Sequence, residues 1–194
     1  MQEPLEQTIL ATRKAAMRAQ LKQIRAAIPA EQRAAWSQTI HNTVIALDEV
    51  RNARTVFIYI SYGNEVDTHG LLKHFLNAGK SLAVQKILTV KTMIATPFSN
   101  WKELVLGELG ILTPPGNESH PGPFDVVITP GLGFTRQGHR IGYGRGYYDQ
   151  WFATHQVQHK IAVTFEAQLV AELPVDATDI PVNMIVTEKR VIRI

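Results

Sequence analysis

A strand-like run, Phe124-Asp125-Val126-Val127-Ile128-Thr129, opens directly into a glycine-rich stretch that ends at Gly146, and helical character begins at Tyr148. This order of strand, glycine-rich turn and helix restricts the fold more than any other feature. Six of the chain's 13 glycines lie between residues 131 and 146. β-Branched residues in the run predict a buried strand. Glycines let the backbone reach positive φ and approach a ligand closely. A turn between a strand and a helix start presents N–H groups to an anion. Interleaved with the glycines are Arg136, Arg140, Arg145, Tyr143, Tyr147, Tyr148 and Asp149. The guanidinium groups of Arg140 and Arg145 suit phosphate or carboxylate, and the tyrosines offer flat faces to a planar ring. The stretch therefore reads as a phosphate-plus-aromatic ligand site; the bland alternative is a glycine-rich surface turn with incidental charges.

The rest of the chain repeats the alternation. Strands are expected at 56–60, 81–85, 93–95, 160–165, 181–187 and 191–194, and helices at 5–28, 30–50, 68–78 and 148–155. Residues 166–173 suggest a helical turn. The segment 97–124 carries five prolines and four glycines and reads mostly as loop, packed down by Trp101 and Leu104-Val105-Leu106. Strands alternating with helices predict an α/β fold: a layered, Rossmann-like open sheet, largely parallel, flanked by helices, with an N-terminal helical pair. No internal repeat or linker is visible, so residues 1–194 are expected to form a single domain.

The first helix places Leu5, Ile9, Met17, Leu21, Ile24 and Ile28 on an apolar stripe. Its other face is basic, with Arg13, Lys14, Arg18, Lys22 and Arg25. Lys14 and Arg18 are four residues apart and share a face. They are either a solvated basic face or two cations reaching toward a phosphate. Glu65 follows the turn Ser61-Tyr62-Gly63-Asn64, just outside the carboxyl end of a strand, where open α/β sheets place ligands. A turn carboxylate in water is the competing reading.

Several classes are excluded. Without cysteine there is no disulfide or thiolate metal site, which is compatible with a reducing cytoplasm. The net charge of +3 is mild, not the clustered excess of a dedicated nucleic-acid binder. No secretory signal or 18-residue apolar run is present, so no membrane association is expected. The seven histidines are scattered, and the sequence has neither a Walker A motif nor a nucleophile elbow. Gly142-Tyr143-Gly144 with Gly146 is not the dinucleotide fingerprint, because the third glycine comes too early.

With these residues in view, the chain resembles the 5-formyltetrahydrofolate cyclo-ligase family, also called methenyltetrahydrofolate synthetases. The resemblance spans nearly the whole length. Its most specific part is Pro130-Gly131-Leu132-Gly133-Phe134 followed by Arg140-Ile141-Gly142-Tyr143-Gly144-Arg145-Gly146-Tyr147-Tyr148-Asp149. Lys14-x-x-x-Arg18, Glu65-Val66-Asp67-Thr68 and the segment from Pro181 to Glu188 support it. The resemblance implies a cytoplasmic, monomeric enzyme. It would close 5-formyltetrahydrofolate to 5,10-methenyltetrahydrofolate using ATP and Mg2+, releasing ADP and phosphate through a phosphorylated formyl group. It implies that Lys14 and Arg18 contact ATP phosphates and that Arg140, Ile141, Gly142, Tyr143, Gly144, Arg145, Gly146, Tyr147 and Tyr148 wrap the nucleotide. Ile60, Glu65 and the segment from Tyr143 to Tyr147 would border the folate, with Glu65 on the pterin. Arg145 and Tyr147 would carry the catalytic roles, and Asp149 and Asn183 would hold the metal. The family often has Asp where this chain has Asn183, whose neutral carbonyl is a weaker ligand for a hard cation. Other classes remain in view: a non-catalytic folate- or RNA-binding protein on the same fold, or an ATP-dependent enzyme acting on another amide.

Overall fold

The computed structural model describes residues 3–107 and 110–194; positions 108 and 109 of the expected loop lie outside the described residues. The described residues form five α-helices: α1 (Glu3–Ala26), α2 (Ala30–Ala46), α3 (Asp48–Asn52), α4 (His69–Asn77) and α5 (Tyr147–Phe152). The strands are β1 (Thr55–Ile58), β2 (Ser81–Ile87), β3 (Met93–Pro97), β4 (Val105–Leu106), β5 (Leu112–Thr113), β6 (Phe124–Thr129), β7 (Gly133–Phe134), β8 (Arg140–Ile141), β9 (Val157–Val163), β10 (Met184–Val186) and β11 (Val191–Arg193). Seven of them form one sheet in the order β11-β10-β9-β6-β1-β2-β3. Neighbours from β10 to β2 run parallel, and the two edge strands, β3 and β11, are antiparallel to theirs.

Alternation along the strands sorts the core into two layers. Val56, Ile58, Val126, Ile128, Ile161 and Val163 face one way, toward Ile40 and Val44 of α2 and Leu71, Leu72 and Phe75 of α4. Phe57, Ala83 and Val127 face the other way, against Tyr148, Trp151 and Phe152 of α5. Ala162 and Ile185 meet Phe134 of β7 on that same side. Helices on both faces explain why the central strands are apolar throughout rather than alternating with polar residues.

The segment 97–124 closes over one edge of this sheet. The Ala95 carbonyl of β3 accepts from the His120 N–H (2.7 Å). Lys86 Nζ donates to the carbonyls of Pro114 (2.9 Å) and Gly116, which anchors the same segment to β2.

The structure departs from the sequence expectations in a few places. The glycine-rich stretch contains a small hairpin, β7 with β8, rather than turn alone. Leu21 of α1 is fully buried, packing with Met17 and Ile24 against Leu132 and Ile141 around that hairpin. Gly133 makes this possible, because a Cβ there would lie 2.5 Å from Leu21 Cδ1. Only the C-terminal half of the expected α1 stripe is used: Leu5 is 63% and Ile9 51% exposed. The second helix breaks at Leu47, whose ψ of 134° is extended, so α3 is separate. Val105 and Leu106 do not pack the long loop down but stay exposed. The expected turn at 166–173 shrinks to one 3-10 turn, Glu166–Gln168. The expected strand at 181–187 is reduced to Met184–Val186, with the Val182 N–H given to the Gly138 carbonyl beside the glycine-rich hairpin.

Candidate active site

A cleft of about 1370 Å³ opens at the carboxyl ends of β1, β2 and β6. Ile87 at the end of β2 lines it, together with residues just beyond the other two strands: Tyr59 and Ile60 after β1, and Pro130 after β6. The glycine-rich stretch from Arg140 to Gln150 forms a second wall, the inner face of α1 a third, and the loop from Asp176 to Ile180 the rim. This is the position at which open α/β sheets present ligands.

The floor is fixed by an unusual clamp. β1 ends at Ile58, and Gln85 on β2 takes over as partner to the next residues. Its Oε1 accepts from the Ile60 N–H (2.8 Å) and its Nε2 donates to the Ile60 carbonyl (3.2 Å). Beyond Ile60 the chain turns, and Glu65 folds back so that Oε2 accepts from the Tyr62 N–H (3.0 Å). Glu65 Oε1 accepts from the Tyr143 hydroxyl (2.5 Å), which in turn accepts from Arg25 Nη2 (2.9 Å). Burial, then the Glu65 charge, pushes the Tyr143 hydroxyl well above its ordinary range. It therefore stays protonated and acts as donor to Glu65. One polar chain thus links α1, the glycine-rich stretch and the β1 turn.

Three arginines of the cleft differ in their settings. Arg18 donates through Nε to the Gly142 carbonyl (3.0 Å) and lies flat against Gly144. Gly144 has φ of +102°, and a Cβ there would sit 3.3 Å from Arg18 Cζ, so the close approach needs glycine. Arg140 is deeply buried. Its Nη2 pairs with Asp149 Oδ1 (2.6 Å), and its Cζ lies 5.6 Å and 5.8 Å from the ring centroids of Tyr148 and Phe152. Burial lowers the Arg140 pKa, with the Asp149 charge working against that shift. Arg145 is exposed, and its guanidinium has no partner among the described residues.

Lys14 is held by two carboxylates that the sequence reading did not single out. Its Nζ lies 2.7 Å from Asp176 Oδ2 and 2.5 Å from Asp179 Oδ2. Burial disfavours the ammonium, but the hydrogen bonds to Asp176 and Asp179 outweigh it and raise the Lys14 pKa. The bond from Lys14, followed by those from Thr178, lowers the Asp176 carboxyl to about 2.

The aromatic residues divide between core and cleft. Tyr148 stacks on Phe57 (5.8 Å, 14°) and borders the cleft, and its buried hydroxyl has no hydrogen-bond partner among the described residues. Burial pushes that hydroxyl far above its ordinary range. The Tyr147 hydroxyl donates to the Thr89 carbonyl (3.2 Å). Ile141 backs the wall by packing on Leu21 and Leu132.

Lys14, Arg18, Ile60, Glu65 and every position from Arg140 to Asp149 therefore meet in one cleft. Asn183 does not join them. Its Oδ1 accepts from the Lys160 N–H (2.8 Å), and it is not part of the cleft lining. Among the described residues, no cluster of three or more His, Cys, Asp or Glu side chains could cage a metal. The hydrogen bonds to Asp149 both end on Oδ1, from Arg140 and from the Ile180 N–H (3.0 Å). Oδ2 carries no hydrogen bond among the described residues, and Asp149 borders the cleft. One carboxylate oxygen beside phosphates and water is the usual protein share of a magnesium site.

Sequence reasoning missed Arg25, Gln85, Asp176 and Asp179. A signal for Arg25 was present: it lies four residues after Leu21 and three before Ile28, on the inward stripe, and it is 6% exposed. Gln85 was a lone amide at the end of an apolar run. Asp176 and Asp179 carried no pattern that would tie them to a helix more than 160 residues away.

Comparison with known proteins bears on the whole chain. The model of the 5-formyltetrahydrofolate cyclo-ligase family matches residues 11–188. A protein of Mus musculus named 5-formyltetrahydrofolate cyclo-ligase is 30% identical, covering 90% of this chain and 93% of its own length. A protein of the same name from Escherichia coli K12 is also 30% identical, covering 88% of this chain and 98% of its own. The solved structure of 5,10-methenyltetrahydrofolate synthetase from Aquifex aeolicus superposes with a TM-score of 0.82 at 30% identity, covering 93% of this chain and 92% of that one. Among the described residues, no helix is long and apolar enough to cross a membrane.

Proposed function

From the premise that the chain belongs to the 5-formyltetrahydrofolate cyclo-ligase family, we propose that it uses ATP and magnesium to close 5-formyltetrahydrofolate into 5,10-methenyltetrahydrofolate. The observation that carries this reading is the convergence in one cleft of separate cationic and carboxylate–tyrosine features. Lys14, Arg18 and Arg145 border it together with Glu65 and Tyr143.

The chemistry explains the need for ATP. A formamide oxygen is a poor leaving group. Transfer of the γ-phosphoryl group to that oxygen releases ADP and leaves an imidate-like phosphate. Nitrogen 10 of the folate then attacks the formyl carbon, loses its proton to solvent, and the C–O bond breaks to expel phosphate. Such a transfer asks the protein mainly for positioning and charge stabilisation.

In this reading Lys14, Arg18 and the unpaired Arg145 neutralise phosphate oxygens, with Arg145 nearest the transferred group. Arg140, neutralised by Asp149, acts as a buried post that sets the glycine-rich backbone against the nucleotide. Glu65 accepts hydrogen bonds from the pterin 2-amino group and the adjacent ring N–H, in exchange for the Tyr143 hydroxyl. Ile60, fixed by Gln85, gives the pterin an apolar floor. Tyr143 and Tyr147 border the reacting formyl group. Asp149 Oδ2 and the phosphate oxygens would hold magnesium, which supplies further neutralisation of phosphate charge. Asn183 is assigned no metal contact here, because its amide oxygen is already bonded to the backbone.

The test is the near-ultraviolet absorbance of the methenyl product, followed with 5-formyltetrahydrofolate, ATP and magnesium. The expected result is a rise that needs all three. A protein that binds folate but gives no ATP-dependent rise would overturn the proposal.

A further inference from the structure

The Lys14 ammonium has three donors. Two are engaged by Asp176 and Asp179, whose loop forms the rim of the cleft. A lysine paired with two carboxylates carries a local charge of about −1, an odd surrounding for a phosphate-binding cation. The two carboxylates are not equivalent. Asp179 is 19% exposed at its side chain, and its Oδ2 also accepts from the Asp176 N–H (2.8 Å). The next residue, Ile180, gives its N–H to Asp149, so Asp179 is built into the inner frame of the site. Asp176 is 38% exposed and sits outermost. Its Oδ1 is already satisfied by the Thr178 N–H (2.8 Å) and hydroxyl (2.5 Å), so it can release Lys14 and return to water with a bonded carboxylate.

We propose that this loop positions Lys14 for the nucleotide, with Asp179 as the lasting anchor and Asp176 as a placeholder that a phosphate oxygen displaces. The inference rests on the proposed ATP-dependent function. Asp179 holds the long lysine stem in place, so phosphate binding does not have to order it. Asp176 occupies the outer donor until the nucleotide arrives and then leaves it. Both are positioning residues that act through Lys14.

The experiment titrates Mg-ATP calorimetrically, without folate, into wild type, Asp179→Asn, Asp176→Asn and each of these combined with Lys14→Met. Asp179→Asn is expected to weaken ATP binding on the order of tenfold, the cost of re-ordering one cationic side chain. Asp176→Asn, the milder surface change, is expected to leave binding equal or tighter. Neither change is expected to alter ATP binding once Lys14 is Met, since coupled residues are non-additive. Equal weakening by both aspartate variants would overturn the anchor and placeholder assignment. Weakening that persists without Lys14 would show that the loop acts by another route. Wild type measured alongside for ATP-dependent methenyl formation separates the two claims. If wild type is active and the aspartate variants bind ATP normally, only this inference fails; if wild type neither turns over nor binds ATP, the functional reading fails first.

Discussion

Replacing Asp149 by alanine should unfold the protein more easily before it says anything about magnesium. Arg140 is 4% exposed at its side chain and pairs with Asp149 at 2.6 Å. Its Nε has no hydrogen-bond partner among the described residues, and Asp149 supplies the ion pair and the largest share of the charge compensation, with Asp179 adding to it. Removing one member of a buried pair costs about 3–5 kcal/mol, because the other charge is left stranded. Asp149 is 20% exposed, so water can reach the gap, and the lower end, about 3 kcal/mol, applies. The lost Ile180 N–H bond is included in that figure. For a chain of this length the loss corresponds to a melting temperature lower by about 6–12 °C. Urea unfolding followed by tryptophan fluorescence reads it directly, since Trp151 lies buried in α5, the helix that carries Asp149. The double variant Arg140→Met with Asp149→Ala should regain most of the stability, because no charge is left buried. It should not regain the magnesium requirement of wild type, which separates the structural role of Asp149 from its proposed metal role. A single Asp149→Ala loss below about 1 kcal/mol, the scale of a surface pair, would refute the reasoning.

Three further outcomes are expected. Glu65→Gln should raise the KM for 5-formyltetrahydrofolate by roughly tenfold or more while changing that for ATP little, since an amide N–H would face the pterin N–H groups; steady-state kinetics in both substrates check it, and equal effects would count against the pterin role. Gly144→Ala should raise the KM for ATP several-fold and lower stability by about 1–2 kcal/mol, because its positive φ disfavours any side chain and the new Cβ presses on the Arg18 guanidinium. Asp176, lowered from 3.8 to about 2, contributes stability that is present above the unfolded value and lost as pH falls through the folded one; the stability deficit of Asp176→Asn seen at neutral pH should therefore shrink below pH 3.8 and vanish only once the pH is below about 2, as read by denaturation at stepped pH.

What could be read from the sequence divides along physical lines. Strands such as Val56–Ile58 and Val126–Ile128 were legible because burial on both faces demands continuous apolar runs. The glycine-rich wall was legible because its backbone requirements leave a mark in composition. Lys14 and Arg18 were visible as a spaced pair, but the residues that hold Lys14 were not, because a long-range ion pair leaves no periodic trace. Arg25 was assigned to the basic face of α1 by its charge, yet it is buried, with a hydrogen bond to the Tyr143 hydroxyl and its guanidinium 5.6 Å from the Tyr143 ring centroid. Leu5 and Ile9 failed in the opposite sense. Helical spacing says which residues share a face, not how far along the helix a partner surface extends. The hairpin of β7 and β8 escaped notice because strands of two residues are shorter than any pattern can register.

The bond from His120 to Ala95 has a consequence for how copies of this chain meet. β3 is an edge strand, and an open edge is a template onto which another molecule can zip. Here the Ala95 carbonyl is already taken, and Pro97 at the end of the strand has no N–H to offer. The part of the covering segment that follows β5 contains Pro114, Pro115, Pro121 and Pro123, so it shields the edge without readily becoming a further strand itself. The most irregular part of the chain thereby protects its most regular part from runaway self-pairing.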